Sequence, residues 1–345
     1  MKSNIPTDIR NLSLEELQEY LQSINEKPFR AKQIFEWIYK KECVDFDQMS
    51  NLSSDLKQKL KTDFIFKQEI VAQKQISVDG TTKVLFDLSD QQKIETVMIP
   101  TKTRATVCVS TQAGCKFGCR FCASGIGGWA RNLSCAEIVM QVLYMKRITK
   151  EQPLSHIVFM GVGEPLDNYD NLIKAIRIIN STEGINIGAR RITVSTCGVI
   201  PKILQLGQEK KQIELAISLH GYDNESRNVL MPVNKKYPFD DLMEACKNYQ
   251  KNYRRQITFE YILIKDVTCS EKAVKALKRA FKGLICKMNL IPYNPVSEFD
   301  HQTPSRQEMY QFRDQLQEFG VHATIRTPRA RDVSAACGQL RHSAK

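Results

Sequence analysis

The sequence predicts an α/β protein, a partial (β/α)6 barrel preceded by a small helical module and a short β meander. From residue 101 onward, strand-like apolar segments alternate with segments of helical period, which is typical of parallel strands joined by right-handed helical crossovers. The glycine motif at 161–163 is not the dinucleotide-binding fingerprint, because position 166 is Leu rather than Gly. Alternation without that fingerprint favours a partial barrel over a doubly wound sheet.

Residues 1–65 have a helical period and form the predicted N-terminal module. Ser13 and Glu16 have the spacing of a capping box at the start of one helix. Ala31, Ile34 and Phe35 predict the buried face of another, and lysines are expected on the outer faces. The module either contacts nucleic acid or only covers the main domain, and the sequence leaves both possibilities open.

Residues 66–100 change to a two-residue period and predict a linking meander with strands at 70–72, 82–86 and 94–99. The main domain then covers residues 101–345. Its predicted strands are 104–111, 156–162, 190–196, 213–219, 256–264 and 286–292, with a further short strand at 322–326. Its predicted helices are 134–149, 168–181, 199–209, 239–251, 271–282 and 305–319.

Composition and charge narrow the class of protein. The 345 residues carry a formal charge of +12, spread along the chain, which favours a polyanionic partner such as nucleic acid. No run of about 18 apolar residues is present, so we expect no membrane span. The polar N-terminus lacks the apolar stretch of a signal peptide, and the 11 cysteines are odd in number. We therefore expect a cytoplasmic protein without a disulfide framework.

Small and polar residues recur where the predicted barrel strands end. Chemistry in such barrels takes place at the carboxyl ends of the strands. The residues at these positions are Ser110, Thr111, Gly161, Gly163, Glu164, Ser195, Thr196, Ser218, His220, Asn289 and Asn294. Any one of them alone is compatible with a turn or a helix cap, but their repetition predicts a ligand-binding mouth.

Three cysteines with the spacing CxxxCxxC follow the first barrel strand: Cys115, Cys119 and Cys122. Thiolates are soft ligands that suit zinc or an iron–sulfur cluster. A closed zinc site or a fully ligated four-iron cluster takes four protein ligands, and no fourth cysteine lies nearby in the sequence. A structural zinc site is the alternative, but three ligands favour a cluster with one iron open to another molecule.

This motif at the end of the first strand of a (β/α) barrel resembles that of the radical S-adenosylmethionine (SAM) superfamily. The resemblance implies that Cys115, Cys119 and Cys122 hold a 4Fe–4S cluster, whose open iron binds the amine and carboxylate of SAM. One electron from the cluster then breaks the sulfonium and gives a 5′-deoxyadenosyl radical. The protein's task is to position this chemistry.

Motifs along the whole chain further resemble the RlmN/Cfr family of RNA methyltransferases. They are ETVMIP at 95–100, CVSTQAGC at 108–115, MGVGEP at 160–165, TVST at 193–196, SLH at 218–220, LMPVN at 230–234, LIPYN at 290–294 and AACGQL at 335–340. The last is the most discriminating, because generic radical SAM enzymes lack it. Two residues depart from the family pattern: Val162, where Met is common, and Trp129, which either stacks on a base or packs.

The resemblance implies roles for three residues outside the cluster. Cys337 takes a methyl group from one SAM, and a second SAM yields the radical that abstracts hydrogen from it, so two are used per turnover. The methylene radical adds to the adenine carbon, and Cys108 then attacks Cys337, releasing the product and leaving a transient disulfide. Glu95 matches the proton acceptor. The positions that match SAM contacts are Gly163, Glu164, Ser195, Ser218, Leu219, His220 and Asn294.

The resemblance also implies partners. The substrates are an adenosine of 23S rRNA at the peptidyl-transferase centre, methylated on carbon 2, and a tRNA anticodon-loop adenosine. The electron donor is a protein such as flavodoxin or ferredoxin, and we expect a monomer. Pro165 favours this branch over the branch that methylates carbon 8. A radical SAM enzyme with a non-RNA substrate, and a non-catalytic RNA-binding protein with a structural metal, are also compatible with the sequence.

Overall fold

The computed structural model describes residues 6–125, 127–149, 152–295 and 299–326. Within these ranges no helix combines the length and apolar character needed to cross a bilayer. The helices are α1 (Leu14–Ser23), α2 (Arg30–Phe35), α3 (Ser54–Asp63), α4 (Cys135–Ile148), α5 (Tyr169–Asn180), α6 (Ile200–Gln208), α7 (Asn224–Leu230), α8 (Phe239–Tyr253), α9 (Glu271–Ala280) and α10 (Arg306–Glu318). A π-helical turn, Glu36–Lys40, continues α2.

The strands follow the predicted change from meander to barrel. They are β1 (Thr7–Asp8), β2 (Phe64–Ile65), β3 (Ile70–Ile76), β4 (Thr82–Asp87), β5 (Lys93–Pro100), β6 (Ala105–Cys108), β7 (Gln112–Gly114), β8 (Trp129–Asn132), β9 (Leu154–Phe159), β10 (Ile192–Thr196), β11 (Glu214–Ser218), β12 (Ile257–Leu263), β13 (Cys286–Pro292) and β14 (His322–Ile325). Among the described residues, ten of them form one sheet in the order β14-β13-β12-β11-β10-β9-β6-β5-β4-β3.

The sheet has a parallel part and an antiparallel part. Strands β6 and β9 to β14 pair in parallel with their neighbours, and helices connect them as in a (β/α) barrel. Strands β3, β4 and β5 pair antiparallel and join the barrel through the β5–β6 pairing. The meander therefore extends the barrel sheet directly.

Ring contacts identify the face of the sheet that the helices cover. The ring of Phe86 on β4 meets Tyr144 on α4 edge to face, and on β12 Phe259 stacks on Phe281 and Tyr261 on Phe312. Successive side chains of a strand point to opposite faces. Residues that alternate with these aromatic residues therefore face the other side, which we call the concave face.

The N-terminal module packs against α4 and α5 through polar contacts as well as an apolar core. Ser13 and Glu16 form the predicted capping box, and Lys174 of α5 contacts the Glu16 carboxylate at 2.6 Å. The Asn11 side chain accepts a hydrogen bond from the Ala136 N–H, a donor in the first turn of α4 that has no acceptor within the helix. The module thus covers one flank of the barrel.

The structure differs from the predicted elements at two places near the site. The first barrel strand was predicted over 104–111, but β6 ends at Cys108 and the chain resumes as a short antiparallel pair, β7 and β8. Helix α7 was not predicted, because its seven residues are too few to show a helical period. Both differences lie beside the loop that carries Cys115, Cys119 and Cys122, residues 115–122, which we call the cysteine loop.

Candidate active site

The cysteine loop leaves β7 in a conformation that requires glycine. Gly114 has φ +84°, and a Cβ there would lie 1.9 Å from the carbonyl oxygen of Gly128. The Cys115 N–H donates to that same carbonyl at 3.1 Å, and the Arg120 N–H donates to the Leu230 carbonyl at 3.0 Å. The loop is therefore anchored to β8 on one side and to α7 on the other.

The three cysteines of the loop fit the donor set of a cluster. Among the described residues, no three Cys, His, Asp or Glu side chains surround one point as a single metal ion would require. Each cysteine ligand of a 4Fe–4S cluster binds a different iron through its thiolate, so the three thiols of this loop are donors that such a cluster can use.

Burial disfavours the thiolate form of two of these cysteines. It raises the pKa of Cys115 to about 11, and it raises the pKa of Cys119 well above its usual range. The charges of the neighbouring cysteines add to the increase in both cases. Metal ligands must be thiolates, so binding of a cluster would release protons and stabilise the charged loop.

Gln112 on β7 connects the cysteine loop to the glycine motif after β9. Its amide nitrogen donates to Asn132 at 2.7 Å and to Asp167 at 2.8 Å, and its Oε1 accepts the Glu164 N–H at 2.9 Å. Gly163 crosses this side chain so closely that a Cβ would lie 2.5 Å from the Cβ of Gln112. Residues 163 and 164 are thus held with their backbone against β7, the strand that leads into the cysteine loop.

Glu164 is buried and binds backbone on both sides of the mouth. Its Oε1 accepts the Leu166 N–H at 3.0 Å and its Oε2 accepts the Cys197 N–H at 2.7 Å. Burial raises the pKa of Glu164, while these hydrogen bonds oppose the increase. The carboxylate joins the ends of β9 and β10, so its first role is to shape the rim of the site.

The SLH motif, residues 218–220, begins at the last residue of β11 and combines a polar contact with hydrogen bonds that hold the chain. Ser218 Oγ lies 3.4 Å from Ser195 Oγ on β10, so the two hydroxyls form one polar patch. Leu219 is fully buried, and its carbonyl accepts a hydrogen bond from Arg227. His220 turns the chain at φ +50°, and its Nδ1 accepts the Ile262 N–H at 3.1 Å.

His220 is a neutral hydrogen-bond donor rather than an acid or base. Burial, with the charge of Arg227, lowers its pKa to about 3. Because Nδ1 accepts a backbone N–H, this network assigns the ring hydrogen to Nε2. Phe121 of the cysteine loop packs its ring 4.7 Å from the imidazole. The motif therefore ties the rim of β11 to the cysteine loop.

Strand register brings Glu95 and Cys108 to the concave face. Thr96 donates to Gln141 of α4, so Glu95 beside it points away from the helices. Cys108 pairs with Val97, two positions along the same face from Glu95. Both residues are buried, and the Lys83 ammonium lies 3.5 Å from the Glu95 carboxylate. Two residues 13 positions apart in sequence thereby become near neighbours.

Arg227 on α7 is a residue that the sequence analysis missed. It is fully buried and donates to the carbonyls of Leu219, Cys197 and Tyr237 and to the side chain of Asn234, at 3.1, 2.5, 3.3 and 2.9 Å. Its positive charge favours the thiolate of Cys119. The sequence held one indication of its importance, because Arg227 lies only three residues before the LMPVN motif at 230–234.

Asn294 is exposed, two residues beyond the end of β13. Cys337, with the AACGQL motif, lies outside the described residues.

A parallel (β/α) barrel with a three-cysteine loop after its first strand defines a radical SAM enzyme. Residues 109–286 match the family model of the radical SAM superfamily, and residues 7–65 match that of the ribosomal RNA large subunit methyltransferase N-terminal domain. A radical SAM methyltransferase structure from Sphaerobacter thermophilus superposes with a TM-score of 0.91, at 42% identity over 97% of this chain and 99% of that chain.

The chain belongs to the RlmN family. It is 44% identical to the probable dual-specificity RNA methyltransferase RlmN of Clostridium novyi, over 97% of this chain and 98% of that protein. It is 46% identical to the protein of the same name from Bacillus pumilus, over 99% and 95%. It is therefore a radical SAM methyltransferase, of a family that uses a 4Fe–4S cluster and SAM.

Proposed function

We propose that the protein methylates carbon 2 of an adenosine in 23S rRNA, and of an adenosine in the tRNA anticodon loop, through a methylated Cys337. Bound SAM supplies the methyl group and, from a second molecule, the radical that activates it. An electron donor of the flavodoxin or ferredoxin type would serve the cluster, and a monomer in the cytoplasm would meet both RNAs.

One observation carries this proposal: Glu95 and Cys108 share the concave face of the sheet that also bears Ser195 and Ser218. Carbon 2 must lose its proton after the methylene group has added, and a carboxylate facing the same space is suited to accept it. The Lys83 ammonium lies 3.5 Å from that carboxylate, so a positive charge is already in place beside the proposed proton acceptor.

Cys108 has the chemistry needed to release the product. In the proposed adduct the adenine carbon is joined to the sulfur of Cys337 through a methylene group. Attack of the Cys108 thiolate on that sulfur forms a disulfide and breaks the carbon–sulfur bond. The electron pair of that bond stays with the methylene carbon, which takes up a proton and becomes the methyl group on the base. Cys108 is 4% exposed on β6, so the tail would have to bring Cys337 to the concave face.

Nucleoside analysis tests the proposal. The cluster-loaded protein, SAM, a chemical reductant and a 23S rRNA fragment are incubated anaerobically, and the digested RNA is analysed by mass spectrometry. We expect 2-methyladenosine from the wild type and none from Cys337→Ala. Iron content must match between the two proteins. Formation of 8-methyladenosine, or full turnover by Cys337→Ala, would contradict the proposal.

Trp129 provides a test of how RNA is held at the rim. It begins β8, seven residues after Cys122, and its side chain is 44% exposed. The Lys116 ammonium of the cysteine loop lies 5.4 Å from its ring centroid. Stacking of a base on an aromatic ring contributes about 1–3 kcal/mol. We expect Trp129→Ala to raise the KM for RNA roughly tenfold with little change in kcat, and Trp129→Phe to restore most of the loss. Equal KM values in all three proteins would show that the ring only packs.

A further inference from the structure

Glu260 on β12 is a buried carboxylate that faces the active-site side of the sheet. Its neighbours Phe259 and Tyr261 stack on rings of the outer helices, at 4.7 Å and 5.8 Å between centroids. Alternation along the strand therefore directs Glu260 to the concave face. The residue is 4% exposed.

Register places Glu260 inside the polar row of the mouth. It pairs with Ser218 on β11 and with Asn289 on β13. Ser218 Oγ in turn lies 3.4 Å from Ser195 Oγ. The two serines match positions that contact SAM in the family, so Glu260 occupies the next place in a row that is already expected to meet this ligand.

One oxygen of the Glu260 carboxylate receives no hydrogen bond from the part of the chain that the structure describes. Oε1 accepts the Asn289 side-chain N–H at 2.8 Å, whereas Oε2 has no hydrogen-bond partner among the described residues. The Arg326 guanidinium lies close to Oε2, but its Nη1 is 3.9 Å away, beyond hydrogen-bonding distance. Burial raises the pKa of Glu260, and the charge of Arg326 opposes this.

An unsatisfied carboxylate oxygen at such a position is a costly feature for a protein to keep. A buried acceptor without a donor destabilises the fold, and the effect is larger when the group is charged. Such groups persist where an ordered water, an ion or a ligand completes them. The missing partner must be a donor, since an ionised carboxylate only accepts.

We propose that Glu260 Oε2 accepts a hydrogen bond from a ribose hydroxyl of SAM, so that Glu260 helps to position the cofactor. The assignment rests on SAM binding by this family and not on the RNA substrate. Ribose hydroxyls are neutral hydrogen-bond donors, and the neighbouring serine, carboxylate and amide groups of this row can all bond to hydroxyls. The α-amino and carboxylate groups of SAM are expected at the cluster, away from this row.

The test uses Glu260→Gln, which keeps the shape of the side chain. Gln can still accept from Asn289 through its oxygen, but it presents an N–H₂ donor where Oε2 stood. Glu214→Gln is the matched control, because Glu214 lies four residues earlier than Ser218 on β11, on the same face but at the opposite end of the strand. Iron content is measured for each protein before binding.

Two measurements distinguish ligand contact from a structural role. The Kd for SAM of the cluster-loaded proteins is expected to rise about tenfold to a hundredfold in Glu260→Gln and to stay unchanged in Glu214→Gln. The melting temperature of Glu260→Gln without SAM is expected to be equal to that of the wild type or higher, because the substitution removes an unsatisfied buried charge.

Three results would overturn the assignment. Unchanged SAM affinity in Glu260→Gln would exclude the contact, and a lower melting temperature without SAM would indicate a structural ion pair with Arg326. Weaker binding of the RNA fragment with unchanged SAM affinity would assign the oxygen to the RNA adenosine instead. None of these depends on methylation, so failure of the proposed reaction would be seen separately, as a wild type that binds SAM but modifies no RNA.

Discussion

Replacing Cys108 by alanine is expected to stop turnover and to leave RNA covalently attached to Cys337. The substitution removes the thiol that would attack the sulfur of Cys337, but not the steps that form the carbon–sulfur bond. Methylation of Cys337 and addition to the adenine would still proceed once. The adduct should therefore accumulate to at most one RNA per protein, with no free methylated product.

Mass spectrometry of the digested adduct measures this directly. The expected species is a peptide containing Cys337 that carries one adenosine nucleotide joined through a methylene group. Cys286→Ala is the matched control, because Cys286 begins β13 and has no role in the proposed reaction. It should turn over normally and give no adduct. Multiple turnovers by Cys108→Ala would show that another group resolves the adduct, and the role assigned to Cys108 would then be wrong.

The fold could be predicted from the sequence because apolar runs and helical periods alternate regularly through the barrel. The observed β13 (Cys286–Pro292) has the predicted bounds. The predicted barrel helices, and the parallel strands after the first one, lie within a few residues of their predicted bounds. The break in the first strand was missed, because Val109 and Ser110 continue the apolar and polar alternation after the regular β6–β9 ladder ends at Cys108. Here the tertiary hydrogen bonds of Ser110, to Gln141 and to the Glu95 carbonyl, decide the local structure.

The position of the site within the fold could be predicted better than its individual contacts. Polar residues at strand ends predict where the candidate site lies, since parallel strands end at the same edge. Glu260 was missed because Thr258 and Glu260 alternate with apolar residues as on a solvent-facing strand, whereas all seven residues of β12 are buried. The proximity of Glu95 to Cys108 depends on the register between two antiparallel strands, and hydrophobic pattern alone does not give that register.

The burial of Arg227 could not be predicted from the sequence pattern. A lone arginine in a seven-residue helix gives no sign of being buried, yet four acceptors from three segments converge on its guanidinium. Leu219 is the middle residue of the SLH motif at the end of β11, Cys197 follows β10, and Tyr237 and Asn234 lie beyond α7. Only the five-donor fork of arginine satisfies such a set from one side chain.

Arg227→Met is expected to lower the free energy of unfolding by about 3–5 kcal/mol, because it leaves several buried acceptors without donors. Arg227→Lys keeps the charge but not the fork, so we expect an intermediate loss. Chemical denaturation of the cluster-free proteins measures both. Arg279→Met makes the same change on the exposed face of α9 and should alter stability by at most about 0.5 kcal/mol.

The same substitution should also reduce the iron that the protein retains. The Arg227 charge favours the Cys119 thiolate, and α7 anchors the cysteine loop through the Leu230 carbonyl. Iron and sulfide per protein after reconstitution should therefore fall in Arg227→Met and stay at the wild-type level in Arg279→Met. If Arg227→Met were as stable and as rich in iron as the control, the guanidinium would be only a filler of space. If stability fell while iron content did not, its role would be confined to holding the loops, and the cysteines would ionise without its help.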